Sequence, residues 1–197
     1  MRNATVLTLL AGSVILVGTT HAIADDQPRF GFGFHDDPPA VAQVVALDEC
    51  DPVTFNAAVG EEGGGFCHNV TLYGLGLGFE TTLDELVNAA NSGTPDPGWD
   101  FEPDKLTIQK GTTVSVVDQG GEPHTFTEVA HFGGGFVPAL NHGQPTVPEC
   151  AGGFSNVAVA RTRILQGSHL DATNLSKGKH LFQCCIHPWM HMEVLVK

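Results

Sequence analysis

Near its carboxyl end the chain carries three potential metal donors in the segment Cys184-Cys185-Ile186-His187-Pro188-Trp189-Met190. A thiolate sulfur, an imidazole nitrogen and a weakly binding thioether sulfur are together the donors that suit a metal cycling between Cu(I) and Cu(II). This segment therefore predicts a copper site.

A trigonal copper site of this kind takes a second imidazole, and the sequence offers one upstream. His124 lies in the run Gly120-Gly121-Glu122-Pro123-His124-Thr125-Phe126-Thr127, directly after a Val-rich run that reads as a strand. We predict that His124 joins Cys184 and His187 as a ligand.

These residues resemble the ligand set of the cupredoxins, the plastocyanin-like type 1 blue copper proteins. The loop is most similar to that of amicyanin, in which the ligand Cys is followed by two residues, a His, two more residues and a Met. The likeness extends from about Phe101 to Lys197. It implies an all-β fold, a cupredoxin-like Greek-key sandwich or barrel, and one type 1 copper per chain held by His124, Cys184, His187 and Met190.

The resemblance also implies a function, the transfer of single electrons between redox partner proteins. In the family the His of this loop lies near the surface, so His187 is expected as the electron exit, with Pro188 and Trp189 as an apolar docking rim. Copper oxidases and nitrite reductases place a His beside the ligand Cys. Here the neighbours of Cys184 are Gln183 and Cys185, which argues against an enzyme.

Two other functions stay open at this point. A periplasmic copper-binding or copper-delivery protein would need an open, exchangeable site. A mononuclear copper enzyme would need a vacant coordination position. Spare donors for an exchangeable or second metal site are His131, His142, His191 and Met192.

Strand phase helps to choose between the adjacent cysteines. Side chains alternate between the two faces of a strand, so His180, Phe182 and Cys184 share one face. The resemblance places an aromatic residue inside the core two positions before the ligand, which also favours Cys184 over Cys185. For the axial ligand, loop length favours Met190. Met192 would instead enter the last strand.

The remaining cysteines suggest an oxidising compartment. The chain has 5 Cys, and copper binding by Cys184 would leave four. Cys50 and Cys67 bracket a short loop and are the first candidate pair, which would leave Cys150 and Cys185 as the second. The connectivity of these disulfides cannot be deduced from the sequence alone.

The amino-terminal residues predict export. Residues 1–24 combine Arg2, an apolar run and Ala22-Ile23-Ala24, as a secretory signal does. The apolar run is shorter than the ~20 residues that span a membrane. We therefore expect a protein that is soluble after cleavage, in the periplasm or outside the cell. A retained signal that anchors the chain is the alternative.

The charge balance excludes one class of partner. With 9 Lys and Arg against 22 Asp and Glu, the net charge is −13, which argues against nucleic acid binding. It favours a redox partner with a basic docking surface, or simply solubility.

The hydrophobic pattern predicts one helix and several strands. The helix is expected over Leu83–Asn91, because Thr82 and Glu85 form a capping-box pattern before an apolar stripe. We divide the chain into a signal peptide (1–24), an amino-terminal extension (25–98) and a cupredoxin-like domain (99–197). Strands are expected at Leu106–Gln109, Thr112–Val117, Val157–Ala160, Lys179–Gln183 and Met192–Val196.

Overall fold

Strands dominate this computed structural model, which describes residues 40–59, 67–68 and 80–197. The predicted signal segment 1–24 and the arm up to residue 39 lie outside the described residues. The strands are β1 Val41–Leu47, β2 Asp100–Glu102, β3 Lys105–Ile108, β4 Thr113–Asp118, β5 His124–Thr125, β6 Thr127–Val129, β7 Arg163–Ile164, β8 His169–Ala172, β9 Gly178–Gln183 and β10 His191–Val196. The α-helices are α1 Pro52–Val59, α2 Leu83–Ser92 and α3 Val157–Ala160.

The longer strands form two sheets of four. Their strand orders are β2-β1-β4-β8 and β3-β10-β9-β6, and a separate two-stranded ladder joins β5 to β7. The pairs β1 with β4 and β3 with β10 are parallel, and the other pairs are antiparallel. The described chain is thus mostly β, in line with the predicted fold class. The Greek-key path and closure into a barrel stay predictions.

The core lies between the alternating apolar faces of the two sheets. Val114 and Val116 of β4 belong to the same buried cluster as Phe182 of β9 and Val194 and Val196 of β10. Side chains two residues apart point to one face of a strand, so these positions turn inward together. Burial of these faces is the main stabilising contribution to the fold.

Most of the predicted elements are present, with small shifts at their ends. Strands β3, β4, β9 and β10 correspond to four of the five expected runs. Helix α2 begins after Thr82, whose hydroxyl accepts from the Glu85 N–H while the Glu85 carboxylate accepts from the Thr82 N–H. It ends at Gly93, whose φ of 76° is the left-handed conformation that glycine adopts readily.

The strand expected at Val157–Ala160 is wrong, because this segment forms the short helix α3. The Asn156 side chain caps it by accepting from the Ala158 N–H at 3.0 Å. Within this turn only Val159 is buried. A β-branched run therefore indicated a strand, but an Asn cap and one inward side chain per turn fit a helix better.

Two elements of the segment counted as an extension were not expected. Strand β1 pairs antiparallel with β2 and parallel with β4, so residues of the 25–98 segment contribute a strand to one of the sheets. Helix α1 supplies Phe55, which is buried against Trp99. Within the described ranges, no helix combines the length and apolar character that crossing a bilayer requires.

Candidate metal centre

Three predicted ligands converge at one end of β9. His124 begins β5, Cys184 directly follows β9, and His187 lies in the turn before β10. The Sγ atom of Cys184 is 3.9 Å from Nδ1 of His124 and 3.9 Å from Nδ1 of His187. One donor atom from each residue lies within 4.8 Å of the others, and all three side chains are buried. Two imidazole nitrogens and one sulfur in this arrangement fit a copper ion.

Backbone hydrogen bonds fix the loop around the Cys184 sulfur. The N–H groups of Thr125 and His187 each donate to Sγ at 3.5 Å. The Cys184 N–H donates to the Met190 carbonyl at 3.1 Å, and the Met190 N–H donates to the His187 carbonyl at 3.0 Å. The spacing Cys-x-x-His-x-x-Met thus closes a compact hydrogen-bonded turn.

The electrostatics around Cys184 favour a thiolate. Burial alone would raise the pKa of the Cys184 thiol, but hydrogen bonds and charges from His124 and His187 outweigh it and hold that pKa well below its ordinary value. For His124, burial would lower the pKa, but bonds to Asp48 and Cys184 raise it well above the ordinary value. The site is therefore poised to present a deprotonated sulfur to a cation.

A buried carboxylate that sequence reasoning missed holds the outer nitrogen of His124. Oδ2 of Asp48 is 2.9 Å from Nε2 of His124. The same carboxylate accepts N–H bonds from Gly121 at 2.8 Å, Glu122 at 2.9 Å and Cys50 at 3.3 Å. With Asp48 on Nε2, the Nδ1 atom of His124 faces Cys184.

Two glycines let the chain reach this carboxylate. A Cβ atom at Gly120 would overlap the Asp48 carboxyl group, and one at Gly121 would lie 2.5 Å from Sγ of Cys50. The pair Gly120-Gly121 is therefore required by close approach. The sequence contains this signal, but nothing local in it points to Asp48.

A second buried carboxylate, Glu122, contacts the outer nitrogen of His187. Its Oε2 atom is 3.3 Å from Nε2 of His187 and accepts the indole N–H of Trp99 at 2.9 Å. Burial raises the pKa of Glu122 to about 7, although the charge of His187 opposes this. Glu122 lies two residues before His124, but no local pattern assigns it a role.

The expectation that His187 lies near the surface is wrong. Only 1% of this residue is exposed. Its ring is covered by Trp99, whose centroid is 6.1 Å away, and by Trp189 at 5.6 Å. Of the expected docking rim, Pro188 is buried and Trp189 is half-buried. Trp99 comes from a distant part of the chain, so the loop pattern could not predict that it covers His187.

Both methionines of this region are fully buried. Met190 is joined to Cys184 and His187 through its backbone, as described above. Met192 lies in β10 opposite Phe182 and shares its buried face with Val194. This placement agrees with the expectation that Met192 enters the last strand, and the role of Met190 as an axial ligand stays a prediction.

The cysteine pairing follows the expected scheme. Disulfides join Cys50 to Cys67 and Cys150 to Cys185, and Cys184 is left as the free, buried thiol. Both expected bridges are thus confirmed. The Cys185 N–H donates to Oγ1 of Thr125 at 2.7 Å, so the bridge is anchored beside β5.

The spare histidines do not assemble a separate metal site within the described residues. His131 and His142 are exposed, and Nδ1 of His142 is 2.9 Å from the Asn91 carbonyl. His191 is partly buried, and its ring stacks on that of Phe132 with centroids 4.0 Å apart. A further cluster of potential donors in the described chain shares His124 with the site: Asp48, Asp118 and His124.

Comparison with known proteins returns likenesses of structure only. No protein-family model matches the chain, and no curated protein matches it. The reduced state of an amicyanin mutant is 19% identical, with 50% of this chain and 73% of that chain covered and a TM-score of 0.32. A purple cupredoxin from Nitrosopumilus maritimus is 15% identical, with 79% of this chain and 99% of that chain covered and a TM-score of 0.38. The assignment of the metal centre rests on the chain's own donors and their geometry.

Proposed function

We propose that this protein is an exported type 1 copper protein that carries single electrons between redox partners. The observation that carries the proposal is the buried cluster of Cys184 Sγ with Nδ1 of His124 and of His187, each 3.9 Å from the sulfur. Met190, buried in the same loop, is proposed as the weak fourth ligand. Bound copper would supply a one-electron couple between Cu(II) and Cu(I).

The surrounding residues would keep the ligands in place when the charge of the site changes. Cys184 is held by two backbone N–H bonds, and His124 is held by Asp48. Ligands whose orientation is fixed by such partners need little rearrangement between oxidation states. This restraint favours rapid electron transfer.

Burial of the donor set favours an electron carrier over a delivery protein. A delivery protein would have to release its metal to an acceptor, which calls for ligands that a partner can reach. Here the three donors are buried, and Trp99 and Trp189 cover His187. An electron can cross such a cover, whereas a metal ion would need the loop to open.

The partner is proposed to dock near Trp189 through a basic surface. Trp189 is the half-buried ring closest to the site, with its centroid 5.6 Å from that of His187. It lines a cleft with Pro188, Leu140 and His191. The net charge of −13 favours a positively charged partner.

Repeated redox cycling in the presence of a Cu(I) chelator separates the two functions. The copper-loaded protein is reduced with ascorbate and reoxidised with ferricyanide while its visible absorbance is followed. An electron carrier bleaches and recovers over many cycles with its copper retained. Transfer of the copper to the chelator in the first reduced state would instead identify a delivery protein.

A further inference from the structure

The Glu122 side chain is buried between the indole of Trp99 and the imidazole of His187. It is 1% exposed, and a single oxygen, Oε2, lies 2.9 Å from Nε1 of Trp99 and 3.3 Å from Nε2 of His187. A buried carboxyl group without partners is costly, so these contacts account for its place in the core. The arrangement also constrains the imidazole that it touches.

The position of Glu122 is fixed from both sides. Its backbone N–H donates to Oδ2 of Asp48 at 2.9 Å, which holds its main chain beside the carboxylate that contacts His124. On the other side, the Trp99 ring stacks on Phe55 with centroids 6.1 Å apart and planes at 16°. The carboxylate therefore cannot turn away from His187 without breaking a buried bond to Trp99.

This fixed acceptor selects one form of the His187 ring. A neutral imidazole carries its proton on one nitrogen and a lone pair on the other, and the polar group that faces one nitrogen biases which. Here that group is Oε2 of Glu122, a charge contact 3.3 Å from Nε2. A carboxylate at Nε2 favours the proton on Nε2. The lone pair is then on Nδ1, the atom that faces Sγ of Cys184 at 3.9 Å.

We propose that Glu122 is a positioning residue that, anchored by Trp99, fixes the tautomer and orientation of His187 and so prepares Nδ1 for the metal. Both imidazoles of the site would then be held by buried carboxylates, His124 by Asp48 and His187 by Glu122. The inference rests on the proposed copper centre for its purpose, but the tautomer itself is a property of the metal-free protein.

Long-range proton–nitrogen NMR of the histidine rings tests the proposal on the metal-free wild-type chain. At pH 9, above the pKa of about 7 of Glu122, the expected result is a proton on Nε2 of His187 that exchanges slowly with solvent. A proton on Nδ1, or a rapidly exchanging mixture of the two forms, would overturn the proposal. This result does not depend on copper binding, whereas failure of the proposed function would appear in the spectrum of the copper-loaded protein.

Variants with Zn(II) as the probe metal test the consequence for binding. Glu122→Leu removes the acceptor and is expected to weaken Zn(II) binding about 10- to 100-fold, as loss of such ligand-orienting partners does. Glu122→Gln retains a carbonyl oxygen at the same place and is expected to recover most of the affinity and the Nε2 proton. Equal affinities for wild type and Glu122→Leu would contradict the proposal.

A matched control is available in a second carboxylate–imidazole pair. Oε1 of Glu128 is 2.6 Å from Nδ1 of His180, which lies on β9 away from the three donors. Glu128→Leu is expected to leave Zn(II) affinity unchanged. An equal loss in both variants would show a general structural effect and would overturn a specific role for Glu122.

Discussion

The carboxyl group of Asp118 shows how one buried residue couples the site region to pH. Its Oδ1 atom accepts the Gly120 N–H at 3.0 Å, whereas Oδ2 has no hydrogen-bond partner within the described residues. Burial raises the pKa of Asp118 from 3.8 to about 7. The folded protein therefore holds this proton more tightly than the unfolded chain.

A raised carboxyl pKa makes the contribution of Asp118 to stability depend on pH with a definite sign. The contribution is fully present below pH 3.8, the ordinary value, and is lost as pH rises through about 7. In the metal-free protein, Asp118→Asn is expected to remove most of this decrease in the free energy of unfolding, and so to stabilise the fold above pH 7. The expected gain is on the order of a few kcal/mol, at about 1.4 kcal/mol per pKa unit.

Urea denaturation of metal-free wild type and Asp118→Asn at pH 5 and pH 8 measures this effect. Asp171→Asn is the matched control, because Asp171 is exposed on β8. The role given to Asp118 would be contradicted if both variants changed the free energy of unfolding equally. It would also be contradicted if Asp118→Asn were more stabilising at pH 5 than at pH 8.

At the scale of elements, the Cys150–Cys185 disulfide ties a long irregular connection to the metal loop. Cys150 ends a short 3-10 turn, Pro148–Cys150, and Cys185 neighbours the free Cys184. Val159 of α3 packs in the same buried cluster as the two sulfurs. The bridge therefore fixes the connection and leaves Cys184 as the thiol that faces the imidazoles.

Removal of this disulfide is expected to destabilise the fold substantially. The bridge closes 35 residues of chain, for which the chain-entropy relation gives about 4 kcal/mol. The double variant Cys150→Ala, Cys185→Ala should lose about that much free energy of unfolding in a guanidinium titration. A loss below about 1 kcal/mol would contradict the structural role given to the bridge.

The Cys50–Cys67 disulfide serves as the comparison for that experiment. It closes 17 residues, so the same relation gives about 3 kcal/mol for the variant Cys50→Ala, Cys67→Ala. The shorter loop should thus lose less stability than the longer one.

Elements whose signal is local could be predicted, and those that depend on distant contacts could not. Helix α2 has its cap and stop within its own sequence, and β10 has its apolar alternation. By contrast, α3 looked like a strand because its β-branched residues were visible while the capping role of Asn156 was not. The short three-residue β2 and the parallel pairing of β1 depend on partners that no local pattern reveals.

The residues of the candidate site also separate into those that a local pattern predicts and those that depend on distant contacts. The donors Cys184 and His187 lie within one short turn, and His124 follows a recognisable strand, so their convergence could be expected. Asp48 contacts His124 across 76 positions of sequence, and Trp99 contacts Glu122 across 23. These partners orient and cover the imidazoles, so the burial of His187 emerges only from the fold.

At the scale of the whole molecule, an acidic chain encloses a buried donor cluster. The net charge is −13, yet the groups next to the donors are buried and bonded in defined pairs. The surface charge is thereby separated from the site and would be available to steer the proposed basic partner. The aromatic cover would let electrons pass while it retains the metal.

Cys184, together with the two imidazoles, is proposed to bind a single copper ion through its sulfur. Cu(II) titration followed by visible absorption and electron paramagnetic resonance tests this binding. We predict an intense thiolate-to-copper band that saturates at about one copper per chain, is absent from Cys184→Ser and persists in His131→Ala, a control at an exposed residue. Absence of the band in wild type, or an unchanged band in Cys184→Ser, would contradict the account.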